Sequence, residues 1–244
     1  MNKPGISLQL WSVRDDFNKD FAKTMEQVAK IGFKAVETSG FGNLTPTEGA
    51  KAIIDSGLTV SGMHVSIYAL RTNLDGVISE AYLLKATDII LPYYPKELFT
   101  SASAIQSLGE ELNTIGSKLR AYGLQFHYHH HDSEMKVVEG RRIMNWILDS
   151  SEPRNLLCQA DMYWVQIGGS NPAKFIHEQG SRIQIYHLKD ETELGTGPVN
   201  HTEVFAAAEH VGAVRWYVIE VERYNFPPIE SVRKSFEKLK SWGK

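Results

Sequence analysis

The sequence of 244 residues predicts an α/β fold, a single (β/α)8 barrel formed by one domain over residues 1–244. Strand-like apolar runs alternate with helix-like segments at a spacing of roughly 30 residues, which is typical of a parallel sheet covered by helices. No linker or low-complexity stretch divides the chain, so a two-domain arrangement is the weaker interpretation. An open doubly wound sheet would have fewer strands and usually a glycine-rich turn after the first one, whereas the stretch from Gln9 to Arg14 contains no glycine.

Four strand–helix units are predicted in the first half of the chain. Gly32 follows the first helix as a C-cap residue, Thr45 and Pro46 suit the N-cap and first turn of the second, and Gly57 follows that second helix. The predicted strands are 5–13, 33–37, 58–64 and 88–92, and the predicted helices are 18–31, 46–56, 73–87 and 101–122.

Four further units complete the predicted barrel. The fifth strand begins near Gly123 and ends in a histidine-rich stretch, and the last three strands are predicted at 155–161, 182–187 and 215–222. Helices are predicted near 139–150, from 171, at 201–211 and at 229–242. Ile143, Trp146 and Ile147 share one face of the first of these helices, as expected of a helix that packs against a sheet.

The composition restricts the class of protein. A formal net charge of −3 and a pI near 6.3, without a Lys/Arg-rich run, disfavour a nucleic-acid partner. The one cysteine, Cys158, excludes an internal disulfide framework and is typical of a small apolar strand residue. No apolar run reaches the roughly 18 residues of a membrane span, and the N-terminus lacks a basic segment followed by an apolar stretch. We therefore expect a cytoplasmic protein, with prior removal of a signal peptide as the alternative.

The stretch from Gly123 to Glu134 contains four histidines and two acids directly after a strand-like run. In a strand, His127, His129 and His131 share one side, while Tyr128 and His130 share the other. Imidazole and carboxylate are the ligand types that hold Mn, Fe, Co or Zn, so the stretch indicates a metal site. A hydrogen-bonded histidine-rich loop is the competing interpretation.

Acids and histidines also end other predicted strands. In a barrel the C-terminal strand ends meet at one rim, where active sites lie, so these side chains are expected to converge there. The rim set consists of Glu37, His64, His129, Asp161, His187, Glu220 and Glu222. Each has a structural alternative: Asp161 as a cap of the following loop, Glu222 as a salt-bridge partner of Lys189 or Arg223, and Glu37 and His64 as ordinary hydrogen-bonding groups. Convergence of so many charges favours a divalent ion, because buried charges need partners.

Four motifs in this order make the chain resemble the xylose isomerase-like TIM-barrel superfamily, and in particular its sugar phosphate isomerase/epimerase branch. They are Tyr-His-x-His-Asp-x-Glu at 128–134, Asp-Met-Tyr-Trp at 161–164, His-Leu-Lys-Asp at 187–190 and Ile-Glu-Val-Glu at 219–222. The resemblance implies one divalent metal ion (Mn, Co, Fe, Zn or Mg) with Asp161, His187 and Glu220 as ligands. Relatives with a Leu-Glu-Pro pattern have glutamate in place of His129, so the fourth ligand is His129 or Glu134, with His131 as a third candidate.

The resemblance implies a sugar or keto-polyol isomerase or epimerase that works through a metal-stabilised enediolate. The candidate catalytic residues are Glu134, Glu220 and Lys189, and the candidate substrate-binding residues are Glu37, His64, His131, Trp164, Lys189 and Glu222. The expected partner is a small carbohydrate, and a homo-oligomer is left open. Alternatives are a lyase or dehydratase acting on a keto-inositol or 3-keto-sugar, an endonuclease IV-like nuclease, and a non-catalytic sugar-binding barrel.

Overall fold

The computed structural model describes residues 3–244 and shows a closed barrel of eight parallel strands surrounded by helices. Sequential strands lie side by side, and the last strand pairs with the first to close the barrel, so the predicted fold is confirmed. The barrel strands β1 to β8 are Gly5–Gln9, Ala35–Thr38, Thr59–His64, Asp88–Leu91, Gln125–His129, Leu157–Asp161, Ile183–Leu188 and Trp216–Ile219.

The connections between strands are mainly helical. The helices α1 to α11 are Arg14–Phe17, Phe21–Ile31, Pro46–Asp55, Ile67–Thr72, Leu74–Leu84, Ala102–Ala121, Ile143–Asp149, Met162–Ile167, Pro172–Gln179, His201–Val211 and Pro228–Ser241. The short helices α1, α4 and α8 were not predicted, nor was the small antiparallel hairpin that pairs Val137–Val138 with Arg141–Arg142. Within residues 3–244, no helix is both long and apolar enough to cross a membrane.

Local capping explains where several helices begin and end. The Thr45 hydroxyl accepts a hydrogen bond from Glu48 N while the Glu48 carboxylate accepts one from Thr45 N, which is a capping box at the start of α3. Gly32 ends α2 with φ at 119°, a left-handed conformation that glycine adopts easily. Both predicted boundaries are thus confirmed.

The strands β1 and β8 end four and three residues earlier than predicted, at Gln9 and Ile219. After β1, Trp11 N donates to the Gln9 side chain and the chain turns into the 3-10 helix Leu10–Val13. After β8, Val221 N donates to Ser12 Oγ instead of to the neighbouring strand. Glu220 and Glu222 therefore lie on the loop that follows β8.

The apolar core lies between the outer faces of the strands and the helices. On β5, Phe126 and Tyr128 belong to this core, whereas His127 bonds Asp88 and His129 bonds Gln159 on the other face. The predicted alternation along this strand is confirmed. It directs the histidines of β5 away from the helices and toward the barrel axis.

Candidate active site at the C-terminal end of the barrel

The rim set predicted from the sequence does converge at the C-terminal strand ends. His129, Asp161, His187 and Glu220 each offer one ligand atom, and these atoms all lie within 4.8 Å of one another. All four residues are buried. Two imidazoles and two carboxylates form a donor set suited to Mn, Fe, Co or Zn.

Asp161 has one carboxylate oxygen engaged and one free. Oδ1 accepts a hydrogen bond from Trp164 N and caps α8, as the structural alternative predicted. Oδ2 is buried and has no hydrogen-bond partner among residues 3–244. Burial raises the pKa of Asp161 to about 7, against the opposing charge of Lys189. A buried oxygen without a partner beside Glu220 fits a bound cation.

The orientation of His187 is fixed by two acids. Its Nε2 lies 2.8 Å from Glu37 Oε1, and its Nδ1 lies 3.1 Å from Glu220 Oε2. Burial opposes the charged form of the imidazole, but Glu37 and Glu220 raise the pKa of His187 to about 10. For His187 to bind a metal, the ion would have to replace the proton on one ring nitrogen, while a carboxylate supports the other nitrogen.

Glu37 is the penultimate residue of β2 and is surrounded by hydrogen-bond donors. It accepts hydrogen bonds from Gln9 Nε2 at 2.8 Å and from Gln159 Nε2 at 2.6 Å, and His64 Nε2 lies 2.8 Å away. Burial would raise the pKa of Glu37, but His64 and His187 hold it well below its ordinary value. This position favours a role in orienting His187 over a direct contact with substrate.

Gln9 and Gln159 were not singled out in the sequence, although a signal for them exists. Each amide interrupts an apolar run near the C-terminal end of a strand, in Leu8-Gln9-Leu10 and Cys158-Gln159-Ala160. A buried amide needs hydrogen-bond partners, and at this end of a barrel those partners belong to the rim.

His129 is the residue of β5 that joins the group of four. The side-chain NH₂ group of Gln159 donates to Glu37, so the side-chain oxygen of Gln159 faces His129 Nδ1, at a distance of 2.9 Å. The other ring nitrogen of His129, Nε2, is therefore available. Burial holds the pKa of His129 well below its ordinary value, with the nearby His187 acting in the same direction. A neutral imidazole with one nitrogen available is the form that binds a metal.

Glu134 does not join this group. Its Oε1 accepts a hydrogen bond from the Tyr128 hydroxyl at 2.7 Å, and its Oε2 accepts one from His131 N at 3.0 Å and one from Ser133 Oγ at 2.7 Å. Tyr128 points away from the barrel axis, into the core, so it draws Glu134 to that side. The observed contacts favour a structural role for Glu134 in holding the loop that carries His131.

A cavity of about 430 Å³ opens above the group of four. Its size falls within the range of small-molecule sites. It is lined by Trp11, Ser39, His64, Pro92, Tyr93, His129, His131, Glu220 and Glu222. Of the predicted substrate-binding residues, His64, His131 and Glu222 thus reach the cavity, whereas Glu37, Trp164 and Lys189 are outside this lining set.

Lys189 is buried behind the cavity between acids and an aromatic ring. Its Nζ lies 2.6 Å from Glu222 Oε2 and 3.6 Å from Glu220 Oε2. The same nitrogen lies 4.7 Å from the centre of the Trp164 ring. Burial would lower the pKa of Lys189, but Glu220, Asp161 and Glu222 raise it above its ordinary value. The predicted Glu222–Lys189 salt bridge is confirmed, and Arg223 pairs with Glu191 instead.

Fold and site together define a barrel with an acid- and histidine-lined centre. The family model described as Xylose isomerase-like TIM barrel matches residues 25–242, and the chain belongs to that family. The match agrees with the resemblance seen in the four motifs. Comparison with curated proteins gave no significant match.

Solved structures with the same architecture cover nearly the whole chain. A sugar phosphate isomerase/epimerase from Parabacteroides distasonis has a TM-score of 0.87 at 20% identity, over 98% of each chain. The probable 3-DHS dehydratase from Bacillus anthracis has a TM-score of 0.78 at 14% identity, over 97% of this chain and 98% of that chain. The 3-keto-D-glucoside 4-epimerase from E. coli has a TM-score of 0.75 at 15% identity, over 98% of this chain and 100% of that chain. At these identities the likeness shows the fold.

Proposed function

We propose that this protein is a divalent-metal-dependent isomerase or epimerase of a sugar or keto-polyol, with His129, Asp161, His187 and Glu220 as the residues that would hold the metal. The observation that carries the proposal is Asp161 Oδ2, a buried oxygen without a partner within the described chain, placed among three other ligand-type side chains. Membership of the Xylose isomerase-like TIM barrel family supports it, as do the activities for which the two epimerase-type structures are named.

The proposed chemistry is proton transfer next to a carbonyl. A divalent ion bound by these residues would act as a Lewis acid toward the carbonyl and neighbouring hydroxyl oxygens of the sugar. Glu220 lines the cavity and is kept ionised by Lys189 and His187, so it can accept the proton from the carbon beside the carbonyl. Removal of that proton gives an enediolate.

His131 and Glu222 line the same cavity and have different roles toward the substrate. His131 is mostly buried and its pKa is lowered by burial, so its neutral ring can exchange a proton with the substrate. Glu222 is partly exposed and offers an acceptor for substrate hydroxyls. Lys189, held between Glu222 and Glu220, balances negative charge that develops during proton transfer.

A lyase reaction begins with the same proton removal and is the second candidate. The probable dehydratase from Bacillus anthracis has the same fold over nearly its whole length. This likeness supports a lyase reaction as the second candidate function. The two reactions diverge after the enediolate, because an isomerase returns the proton whereas a dehydratase expels water from the next carbon. Product analysis by NMR distinguishes them.

Metal content tests the proposed site. Elemental analysis of purified protein after exposure to Mn, Co, Fe or Zn should give close to one ion per chain, and His187→Ala and Glu220→Ala should each lose most of it. His177→Ala is the matched control, because His177 is exposed on α9, outside the site. Full metal content in both site variants would contradict the proposal.

Proton exchange tests the proposed reaction. Metal-loaded protein in D₂O should incorporate deuterium at the carbon beside the carbonyl of a ketose. Glu220→Gln, compared with wild type at equal measured metal content, should lose this incorporation. Absence of exchange with every ketose tested, in protein that holds its metal, would contradict the enzymatic function and leave the non-catalytic sugar-binding barrel.

A further inference from the structure

We infer that His201 is a positioning residue for Lys189 and acts through the carboxylate of Asp190. The inference rests on the proposed function, because it names what fixes the residue that balances charge there. β7 ends at Leu188, so Lys189 and Asp190 lie just beyond the last position of the strand. Asp190 and His201 are both outside the set of residues that lines the cavity, so an effect on the reaction would be indirect.

The carboxylate of Asp190 lies at the centre of the loop that follows β7. It is buried, and its Oδ2 accepts hydrogen bonds from Gly195 N at 2.7 Å and from His201 Nε2 at 2.9 Å. Its Oδ1 accepts a hydrogen bond from Val199 N at 3.4 Å. A buried carboxylate needs such donors, and hydrogen bonds to a charged group are stronger than those between neutral groups. These donors therefore fix Asp190, and with it the backbone of the neighbouring Lys189.

The loop after β7 is joined to the loop after β8, so Asp190 is held in a fixed frame. Glu193 is buried and accepts hydrogen bonds from Asn225 N at 3.0 Å and from Asn225 Nδ2 at 2.7 Å. Asn225 belongs to the same loop as Glu220 and Glu222. The two acids that face Lys189 thus lie on a loop that is attached to the one organised by Asp190.

His201 lies at the start of α10 and is buried between Asp190 and an aromatic ring. Its Nε2 donates to Asp190, whereas its Nδ1 is buried and has no hydrogen-bond partner among residues 3–244. The imidazole stacks on the Trp242 ring, with the ring centres 4.9 Å apart and the planes 29° from parallel. Stacking fixes the plane of the imidazole, and the hydrogen bond to Asp190 is the polar contact that the side chain makes.

The ammonium group of Lys189 depends on such support because its own contacts are close. Nζ lies 2.6 Å from Glu222 Oε2 and 3.6 Å from Glu220 Oε2, and only 3% of the side chain is exposed. A shift of the Lys189 backbone would move Nζ away from Glu220, the proposed base. A displacement of about 1 Å in an active site can lower a rate by about 100-fold. Since Lys189 is outside the lining of the cavity, we expect the loss in kcat and not in KM.

Three substitutions of His201 separate its hydrogen bond from its stacking. Glutamine has an amide nitrogen at the distance of Nε2 from the backbone, so His201→Gln keeps the donor and loses the ring. His201→Phe keeps a ring against Trp242 and loses the donor, and His201→Leu loses both. A role that is only structural would make the glutamine and leucine variants alike, because both lack the stacking.

Kinetics of deuterium exchange in D₂O measure the effect on the reaction. The substrate is whichever of D-fructose, D-ribulose and D-xylulose exchanges fastest with wild type, and all proteins are compared at equal measured metal content. We expect kcat to fall about tenfold or more in His201→Phe and His201→Leu, and less than about threefold in His201→Gln. KM should change by less than about twofold in all three variants.

Acetylation by acetic anhydride, read by mass spectrometry, tests the position of Lys189 without substrate or metal. Lys189 should be acetylated about fivefold or more faster in His201→Phe and His201→Leu than in wild type, and at the wild-type rate in His201→Gln. Lys174 is the internal reference, because 77% of its side chain is exposed.

The two measurements distinguish failure of the inference from failure of the proposed function. Equal kcat and equal acetylation of Lys189 in His201→Gln and His201→Leu would overturn the inference and leave the proposed function standing. Faster acetylation with an unchanged kcat would also overturn the inference, since the position of Lys189 would then have no effect on the reaction. Absence of exchange by wild type would overturn the proposed function, and acetylation alone would then decide whether His201 positions Lys189.

Discussion

Glu37 and His187 are 150 positions apart in the sequence, yet Glu37 Oε1 lies 2.8 Å from His187 Nε2. Glu37 lies near the end of β2 and His187 lies near the end of β7, so this contact exists only because the barrel closes. It directs the other ring nitrogen of His187 toward Glu220. The orientation of His187, a candidate metal ligand, thus depends on the carboxylate of Glu37, which does not line the cavity.

Glu37→Gln should weaken metal binding about 10-fold to 100-fold, because supports of this kind raise the basicity of a ligating histidine and fix its ring. The change also disturbs the hydrogen bonds from Gln9 and Gln159. Competition with a chelating indicator dye measures the effect. Glu48→Gln, a change at the exposed start of α3, is the control and should bind metal as wild type does. Equal affinity in Glu37→Gln and wild type would show that His187 needs no such support.

Arg14→Ala should raise KM for the sugar several-fold while kcat changes by less than about twofold. Arg14 packs on the Trp11 ring and is itself held by the Tyr224 hydroxyl, so its removal lets the indole leave the cavity wall. Steady-state kinetics separate the two parameters. Arg71→Ala, which breaks an ion pair with Glu111 outside the cavity, serves as control. A fall in kcat with unchanged KM would show that Trp11, which lines the cavity, does not contribute to sugar binding.

The sequence predicts the order of strands and helices and the convergence of the rim set, because both follow from local information. Hydrophobic periodicity and capping residues such as Thr45 act over a few positions, and parallel closure then brings every C-terminal strand end to one rim. His129, Asp161, His187 and Glu220 all belong to that rim set. Their selection as metal ligands came from the family resemblance, which left His129, Glu134 and His131 as alternatives on the fifth strand.

Other features of the site depend on contacts that a linear pattern does not contain. Glu134 lies three residues after His131, yet the turn Ser133–Met135 and the Tyr128 hydroxyl place its carboxylate outside the group of four. The end of β8 at Ile219 depends on a hydrogen bond between Val221 and Ser12. The alternation of a strand indicates the face on which a side chain lies, but it does not identify the hydrogen-bond partner.

Asp88 should make the stability of the fold sensitive to acid. Burial alone would raise the pKa of Asp88, but His127 and Arg215 lower it to about 2, from an ordinary value of 3.8. The lowered value contributes roughly 2 kcal/mol of folding free energy above about pH 4, and this contribution is lost as the pH falls toward 2.

Urea unfolding of wild type and Asp88→Asn across this pH range measures that contribution. The stability gap between the two proteins should be constant near neutral pH and should narrow as the solution becomes more acidic than about pH 4. Asp15→Asn, at an exposed carboxylate of α1, is the control and should change the unfolding free energy by less than about 0.5 kcal/mol. A gap for Asp88→Asn that keeps its size down to the lowest accessible pH would refute the assignment.

Cys158 should be unreactive in the folded protein. Its side chain is fully buried on β6, and burial raises the pKa of the thiol, so the reactive thiolate is disfavoured. A colorimetric disulfide reagent should therefore react with one thiol per chain only after unfolding in denaturant. Rapid reaction under native conditions would show that β6 opens, or that the thiol has an access route and a functional role.

Gly116→Ala should destabilise the fold by roughly 1–3 kcal/mol, even though alanine favours a helix more than glycine does. A Cβ at this position of α6 would overlap the Asn155 carbonyl oxygen. Asn155 is held in place by Arg120 and Asn113, so the loop before β6 cannot easily move away. Ser117→Ala, at the exposed neighbouring position, is the control and should change the unfolding free energy by less than about 0.5 kcal/mol. Equal stability of the two variants in urea unfolding would contradict the prediction. It would show that the close approach of α6 to this loop does not require glycine at position 116.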